Sequence, residues 1–303
     1  MALRHDMRRG VLFMLAACAL FTAMGVVVKD LSARIPFPEL MFFRSAFAMP
    51  VVLAIVAHRT AVKNWPSVLR TRRLGGHVTR ACTGVMAMSC GFYSLSVLPL
   101  AEQTALTNTT PLFTTLLSIP LLGEKVGIHR ISAVLLGFLG ILVIAVGQGA
   151  FQGGLSATAQ WGLLVAVMHG VFSAGTTMLV RSLSGTEAST TIVLWQSLLM
   201  TGFTALALPF IWVTPGWGDL ALLILVGLIG GAAQVLLTEA WASAQVSALS
   251  PFTYSSLLWA ILFGWVAFGD VPSLWTILGA ALIVAASLYI MHRELVRGGG
   301  RTR

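Results

Sequence analysis

Runs of about 20 apolar residues alternate with short, turn-forming clusters, and this rhythm repeats ten times along the 303 residues. A run of that length crosses the ~30 Å hydrocarbon core of a bilayer as an α-helix. The pattern predicts spans at about 10–30, 37–57, 76–98, 101–122, 128–147, 159–182, 189–212, 220–242, 246–268 and 273–291. Pro36 and Pro38, Pro99, Gly123, the Gly147–Gly154 stretch, Ser184-Gly185, Pro215-Gly216 and Pro272 separate them. The short alternating segments of a membrane barrel are not seen. The first run follows Arg4, Arg8 and Arg9, as in a signal peptide. However, no small-x-small site precedes a soluble domain and more spans follow, so it reads as a retained first helix.

The pattern also repeats on a larger scale. Gly123–Gly140 (GEKVGIHRISAVLLGFLG) aligns with Gly269–Ala286 (GDVPSLWTILGAALIVAA) at a shift of 146 residues. The same shift lays Thr107-Asn108-Thr109-Thr110 on Thr253-Tyr254-Ser255-Ser256. A membrane chain of two related halves belongs to a short list of proteins, most of them transporters. The expected division is a five-helix repeat at 1–147, a flexible, uncharged linker at 148–158, a second five-helix repeat at 159–291 and a basic tail at 292–303. An odd number of spans per half turns the second half upside down. The expected fold is therefore an all-α membrane protein of ten transmembrane helices in two inverted five-helix repeats.

Composition agrees with this reading and sets the orientation. Apolar residues make up 57% and charged residues 10%, against about 25% charged in a soluble domain. A net charge of +9 would suggest nucleic acid in a soluble protein, but here the charge lies in the loops, so the partner is the lipid bilayer. With the N-terminus inside, sixteen Lys and Arg, Arg80 among them, fall in cytoplasmic segments and only Lys29 and Arg34 outside. Both termini are then cytoplasmic. Cys18, Cys82 and Cys90 lie in apolar runs without metal-ligand spacing, and neither disulfides nor a metal site are expected.

At this point the chain resembles the EamA-like family of the drug/metabolite transporter superfamily, over both halves. The resemblance rests on Phe42-Phe43-Arg44, on Tyr93 followed by Leu98-Pro99-Leu100-Ala101, and on Pro111-Leu112-Phe113 with Leu122-Gly123-Glu124. In the second half it rests on Pro251-Phe252, Phe268-Gly269-Asp270 and Gly279-Ala280-Ala281. Phe43-Arg44-Ser45, Gly231 to Gln234, Leu237-Thr238 and the stretch Pro251–Ala260 look most like a branch that includes riboflavin and S-adenosylmethionine uptake carriers. Asp270 departs from the usual Glu, and Leu257 stands where the second repeat often has Pro. The resemblance implies alternating-access transport of a small organic metabolite across the bacterial inner membrane. The implied cargo is a heteroaromatic nutrient or cofactor moved inward; the alternative is export of amino acids, amines or drugs. A membrane-embedded enzyme would need a nucleophile–base pair or a ligand cluster. Neither is found, and no cofactor is expected.

Polar residues within spans mark the candidate site, because a charge at mid-helix costs about 2.5–3.5 kcal/mol on insertion scales. Arg44 reads either as an anion anchor or as an arginine locking helices near the outer face. Glu102, Glu239 and His169 are candidates for proton or cation coupling. Thr104 and Asn108 share a face of the fourth span, and Tyr254 is the repeat equivalent of Asn108, so these residues are expected to face one another across the axis. Gln234 and Thr238 share a face of the eighth span. Trp195 and Gln196 lie on the seventh, with Gln196 equivalent to Arg44 at a local shift of 152 residues, and Tyr93 lies on the third. Amides beside aromatic rings suit a flat, heteroatom-rich ligand. Gly137-x-x-Gly140 and Ala281-x-x-x-Ala285 give the fifth and tenth spans small-residue stripes, expected to serve either as support helices or as a homodimer surface.

Overall fold

A computed structural model describes residues 7–59, 70–122, 128–147, 156–184, 186–187, 189–243, 249 and 252–299. Its elements are α1 (Met7–Leu31), α2 (Phe37–Arg59), α3 (Leu74–Val97), α4 (Leu100–Thr107), α5 (Thr110–Leu122), α6 (Ile128–Gly147), α7 (Ala157–Ser184), α8 (Ser189–Ala205), α9 (Leu208–Ile211), α10 (Trp217–Ser243), α11 (Ser255–Phe268) and α12 (Leu274–Gly299). No strand occurs among the described residues. α4 and α5 together form the fourth span, and α8 and α9 the seventh. Among the described residues, four helices are long and apolar enough to cross a bilayer by themselves, within Met7–Leu31, Phe37–Ala54, Ala157–Val180 and Trp217–Leu237.

The helices pair as a two-fold exchange of halves demands. α1 packs on α10 as α7 packs on α3, and α1 packs on α11 as α7 packs on α5. α2 packs on α10 as α8 packs on α3. Two pairs map onto themselves, α2 with α8 and α6 with α12. Most major contacts thus join one repeat to the other, and the chain is an all-α protein of ten transmembrane helices in two inverted repeats. One core, built on Leu31, Leu40, Met41, Leu223 and Val226, lies between α1, α2 and α10. Another, around Leu98, Leu106, Ile144, Ala166 and Ile283, joins α4, α6, α7 and α12.

Glycines set close approaches between the helices. A Cβ on Gly231 would sit 3.1 Å from the Ala48 backbone, so α10 and α2 touch almost backbone to backbone. Gly140 and Gly279 face each other on α6 and α12, where a Cβ on Gly140 would lie 2.7 Å from the Gly279 carbonyl. The fifth span's small-residue stripe is therefore used within the chain. Leu135, Leu139 and Leu142 are exposed on the far side of α6, and Ala281 and Ala285 are exposed on α12.

The structure adds two corrections. The fourth span is interrupted at Asn108-Thr109 and the ninth at Tyr254, positions equivalent under the 146-residue shift. Arg80 is no loop residue: it lies within α3 and is 6% exposed.

Candidate functional site

The interruption in the fourth span follows from local chemistry. Pro111 has no N–H for the Thr107 carbonyl, which instead accepts from the Thr110 hydroxyl at 3.1 Å. Asn108 caps α4, and its side-chain amide donates to the Thr104 carbonyl at 2.9 Å. The same nitrogen donates to Ser256 Oγ, two residues past Tyr254, at 3.2 Å. One amide therefore spans the two broken helices. In the second half Leu257 stands where Pro111 does, yet the interruption persists. Cys18 of α1 packs there, its thiol 3.6 Å from the Thr253 carbonyl. Gly170 of α7, 152 residues further along the chain, leaves room for Thr109 Oγ1 and the Phe113 ring. Four further hydroxyls of the fourth span are spent locally. Thr107, Thr109, Thr114 and Thr115 all donate to carbonyls three or four residues back.

Arg44, Gln196 and Gln234 line a second feature, a cavity between α2, α8 and α10, together with Ser45, Ser197, Gly230 and Gly231. Its volume is about 20 Å³, room for about one water. A metabolite needs a pocket of several hundred Å³, so the two halves are closed around this point. Gln196 also accepts from Arg80 Nη2 at 2.6 Å. Sequence reasoning missed Arg80. A signal was available: Arg80 sits inside the predicted third span, followed by residues that are mostly apolar or small.

Other expected site residues lie apart. Nδ1 of His169 is 2.8 Å from the Ala87 carbonyl, and Ser173 lies 3.4 Å from Nε2, so its ring bridges α7 and α3. Trp195 stacks on His77 with ring centroids 5.9 Å apart. Tyr93 meets Phe37 edge-on at 6.1 Å. Glu102 is 4% exposed and accepts from Thr276 at 3.0 Å. It lines a cavity of about 200 Å³ with Pro99, Asp270 and Pro272. Glu239 is half-buried on α10. The side chain of Thr238 lies outside the described residues. Among those residues, no cluster of His, Cys, Asp or Glu could hold a metal.

Contacts between the halves close both ends of the bundle. At one end Lys29 Nζ pairs with Asp270 at 3.2 Å, donates to the Leu98 carbonyl at 3.1 Å and lies 4.8 Å above the Phe268 ring. Nearby, Arg34 pairs with Asp219 at 3.2 Å, and the Val213 N–H donates to Glu39 at 3.0 Å. At the other end the Thr71 hydroxyl and the Arg72 N–H donate to Glu187 at 2.8 and 3.2 Å, and Arg73 donates to the Ser182 carbonyl at 2.9 Å. The Thr71 bond holds the Glu187 carboxyl below its usual range. Asp30 beside Arg34 raises that guanidinium further.

The EamA-like transporter family matches the chain twice, over residues 8–146 and 160–292. The chain belongs to that family. A riboflavin transporter of Rhizobium johnstonii is 31% identical, over 95% of this chain and 92% of its own. A pseudopaline exporter of Pseudomonas aeruginosa is 28% identical, over 95% and 98%. An S-adenosylmethionine uptake transporter of Rickettsia bellii is 27% identical, over 94% of each. A solved crystal structure matches with a TM-score of 0.65 at 20% identity, covering 94% of this chain and 98% of that one, which is a likeness of fold. As an EamA-like transporter, the chain is an integral membrane protein, and its doubled match coincides with the exchange-symmetric helix pairs. Interrupted helices meeting at a repeat interface are where such folds place their cargo.

Proposed function

We propose that this transporter carries a small heteroaromatic nutrient or cofactor, of the riboflavin or S-adenosylmethionine class, by alternating access. The observation that carries this reading is the Asn108–Ser256 bond between the interrupted helices of the two halves. It supports a central path lined by Arg44, Thr104, Asn108, Gln196, Gln234, Thr238 and Tyr254, with Tyr93, Trp195 and His169 beside it. The relatives named for riboflavin and S-adenosylmethionine support the cargo class. Glu102, Glu239 and His169 are the candidates for coupling. The reading places the chain in the bacterial inner membrane with both termini cytoplasmic, on the Lys and Arg asymmetry. It treats 148–158 as the linker and the exposed faces of α6 and α12 as lipid-facing or as a homodimer surface. It assigns no enzymatic step to the chain.

The relative named as a pseudopaline exporter favours a second reading, export of an amino-acid-derived metabolite. Counterflow in proteoliposomes separates the two. Labelled riboflavin or S-adenosylmethionine should accumulate against its own unlabelled pool. Absence of exchange for both, with exchange of an amino-acid-derived compound, would replace the first reading by the second.

A further inference from the structure

The cavity between α2, α8 and α10 is surrounded by hydrogen-bond donors that have no acceptor. Arg44 Nε is buried and unpartnered beside Gly230, where a side chain would crowd it at 3.3 Å. Ser45, 2% exposed, lines the same cavity, and its hydroxyl is also unpartnered. Arg80, 6% exposed, spends Nη2 on Gln196 and leaves Nε without a partner. Gln196 turns its own nitrogen toward Met200 Sδ at 3.6 Å, a weak acceptor.

Arg44 and Ser45 thus face the cavity directly, and Arg80 of α3 reaches it through Gln196. Ion pairs among the described residues form at Lys29 and Arg34. The carboxylates of Asp30, Asp219 and Asp270 are committed to those two cations, and Glu187 accepts from Thr71 and Arg72. Glu239, on α10, sits five residues from Gln234 and so about 140° around the helix from it. A buried cation without a counter-ion is retained only where something compensates it.

We infer that this cavity is an oxyanion subsite: a carboxylate or phosphate of the cargo binds Arg44 and takes the Ser45 hydroxyl, with Arg80 supporting the site through Gln196. Guanidiniums suit this task because their planar fork matches both groups. The inference rests on the transport reading above, which by itself leaves the charge of the cargo open. It narrows the class to metabolites with an anionic end, attached to a flat portion that extends toward Asn108 and Tyr254. In the closed form the cavity has room for about one water, so the oxyanion enters as α2, α8 and α10 part.

The test uses the purified full-length transporter at constant ionic strength. Thermal stabilisation is titrated with sodium acetate and with sodium phosphate against sodium chloride. It is also titrated with two matched pairs, S-adenosylmethionine against its decarboxylated form and flavin mononucleotide against riboflavin. Acetate or phosphate should protect saturably, and the anionic member of at least one pair should bind tenfold or more tightly than its partner. A carboxylate source and a phosphate source are told apart by which salt and which pair respond. Arg44→Gln and Arg80→Gln should abolish both effects, and Arg80→Lys should keep part of them. Should the Gln variants not fold, Ser45→Ala carries the test and should weaken anion protection several-fold. Equal binding within both pairs, or no saturable difference between the salts, overturns the subsite. Counterflow of riboflavin without any anion preference leaves the transport reading standing while the subsite falls. Anion protection lost in the Gln variants without counterflow of either vitamin-class cargo does the reverse.

Discussion

At the scale of single residues, the polar groups divide into those spent on local backbone and those that reach the other half. Thr107, Thr109, Thr110, Thr114 and Thr115 belong to the first kind, and Asn108 to the second. Replacing Asn108 by Leu removes the bond to Ser256 that joins the two interrupted helices. Losing a ligand or cross-repeat hydrogen bond at such a site is worth about 1–3 kcal/mol, or roughly 5- to 150-fold in affinity. We predict that Asn108→Leu lowers apparent substrate affinity within that range while expression holds. An unchanged affinity with a lowered midpoint would make Asn108 a purely structural bridge. Glu102 lies away from the axis, with its carboxylate on Thr276. Glu102→Gln should therefore leave substrate affinity nearly unchanged in the same assay, and a loss of binding in a folded variant would move the cargo toward the Asp270 end.

At the scale of elements, α6 and α12 have no polar axis to serve, and their packing is set by glycine. Gly140→Val would push a branched side chain into the Gly279 carbonyl. Overpacking of this kind costs about 1–3 kcal/mol, so the detergent-solubilised protein should melt several degrees lower, with transport affinity little changed. An unshifted midpoint would mean that α6 and α12 separate without cost. The spans, their number and their duplication were legible in the sequence because a bilayer imposes one length and one polarity on every helix. The interruptions were not legible. The Thr107–Thr110 stretch reads as ordinary helix until Asn108 is seen to prefer the Thr104 carbonyl and a partner in the other half. Asn108 stood out in the sequence because an amide is too polar to waste in lipid, and Gln196 and Gln234 because they lie beside aromatic rings. Arg80 was missed because a charge near the start of a span looks like a loop cation until the depth of its burial is known. His169 looked like the head of a polar stripe, yet its ring is engaged by the Ala87 carbonyl of α3, a partner 82 residues away that periodicity does not reveal.

At the scale of the whole molecule, both ends are latched by contacts between halves, so opening either end must break one set while the other holds. The Lys29–Asp270 pair and its neighbours close one end, and the Glu187 contacts close the other. These latches differ chemically. Glu187 is largely a surface carboxylate held below its usual range by the Thr71 hydroxyl. A depressed carboxylate contributes its stabilisation above the ordinary range and loses it as pH falls through the depressed value. Acid should therefore loosen the Glu187 end as pH falls through that depressed value. We predict the same for Glu187→Gln at neutral pH, and the opposite for Asp270→Asn, which frees Lys29 at the other end. The readout is labelling of a cysteine placed at Gln234, in a Cys82→Ser background, by a membrane-impermeant maleimide added to one face of oriented vesicles. Glu187→Gln should raise labelling several-fold from the face bearing residues 70–73 and 182–187, and Asp270→Asn from the opposite face. Comparing the labelled face with that of the C-terminus also checks the orientation set by the Lys and Arg count. If both variants raise labelling from the same face, the two contact sets are not opposing gates, and rocking of one repeat against the other does not describe this transporter.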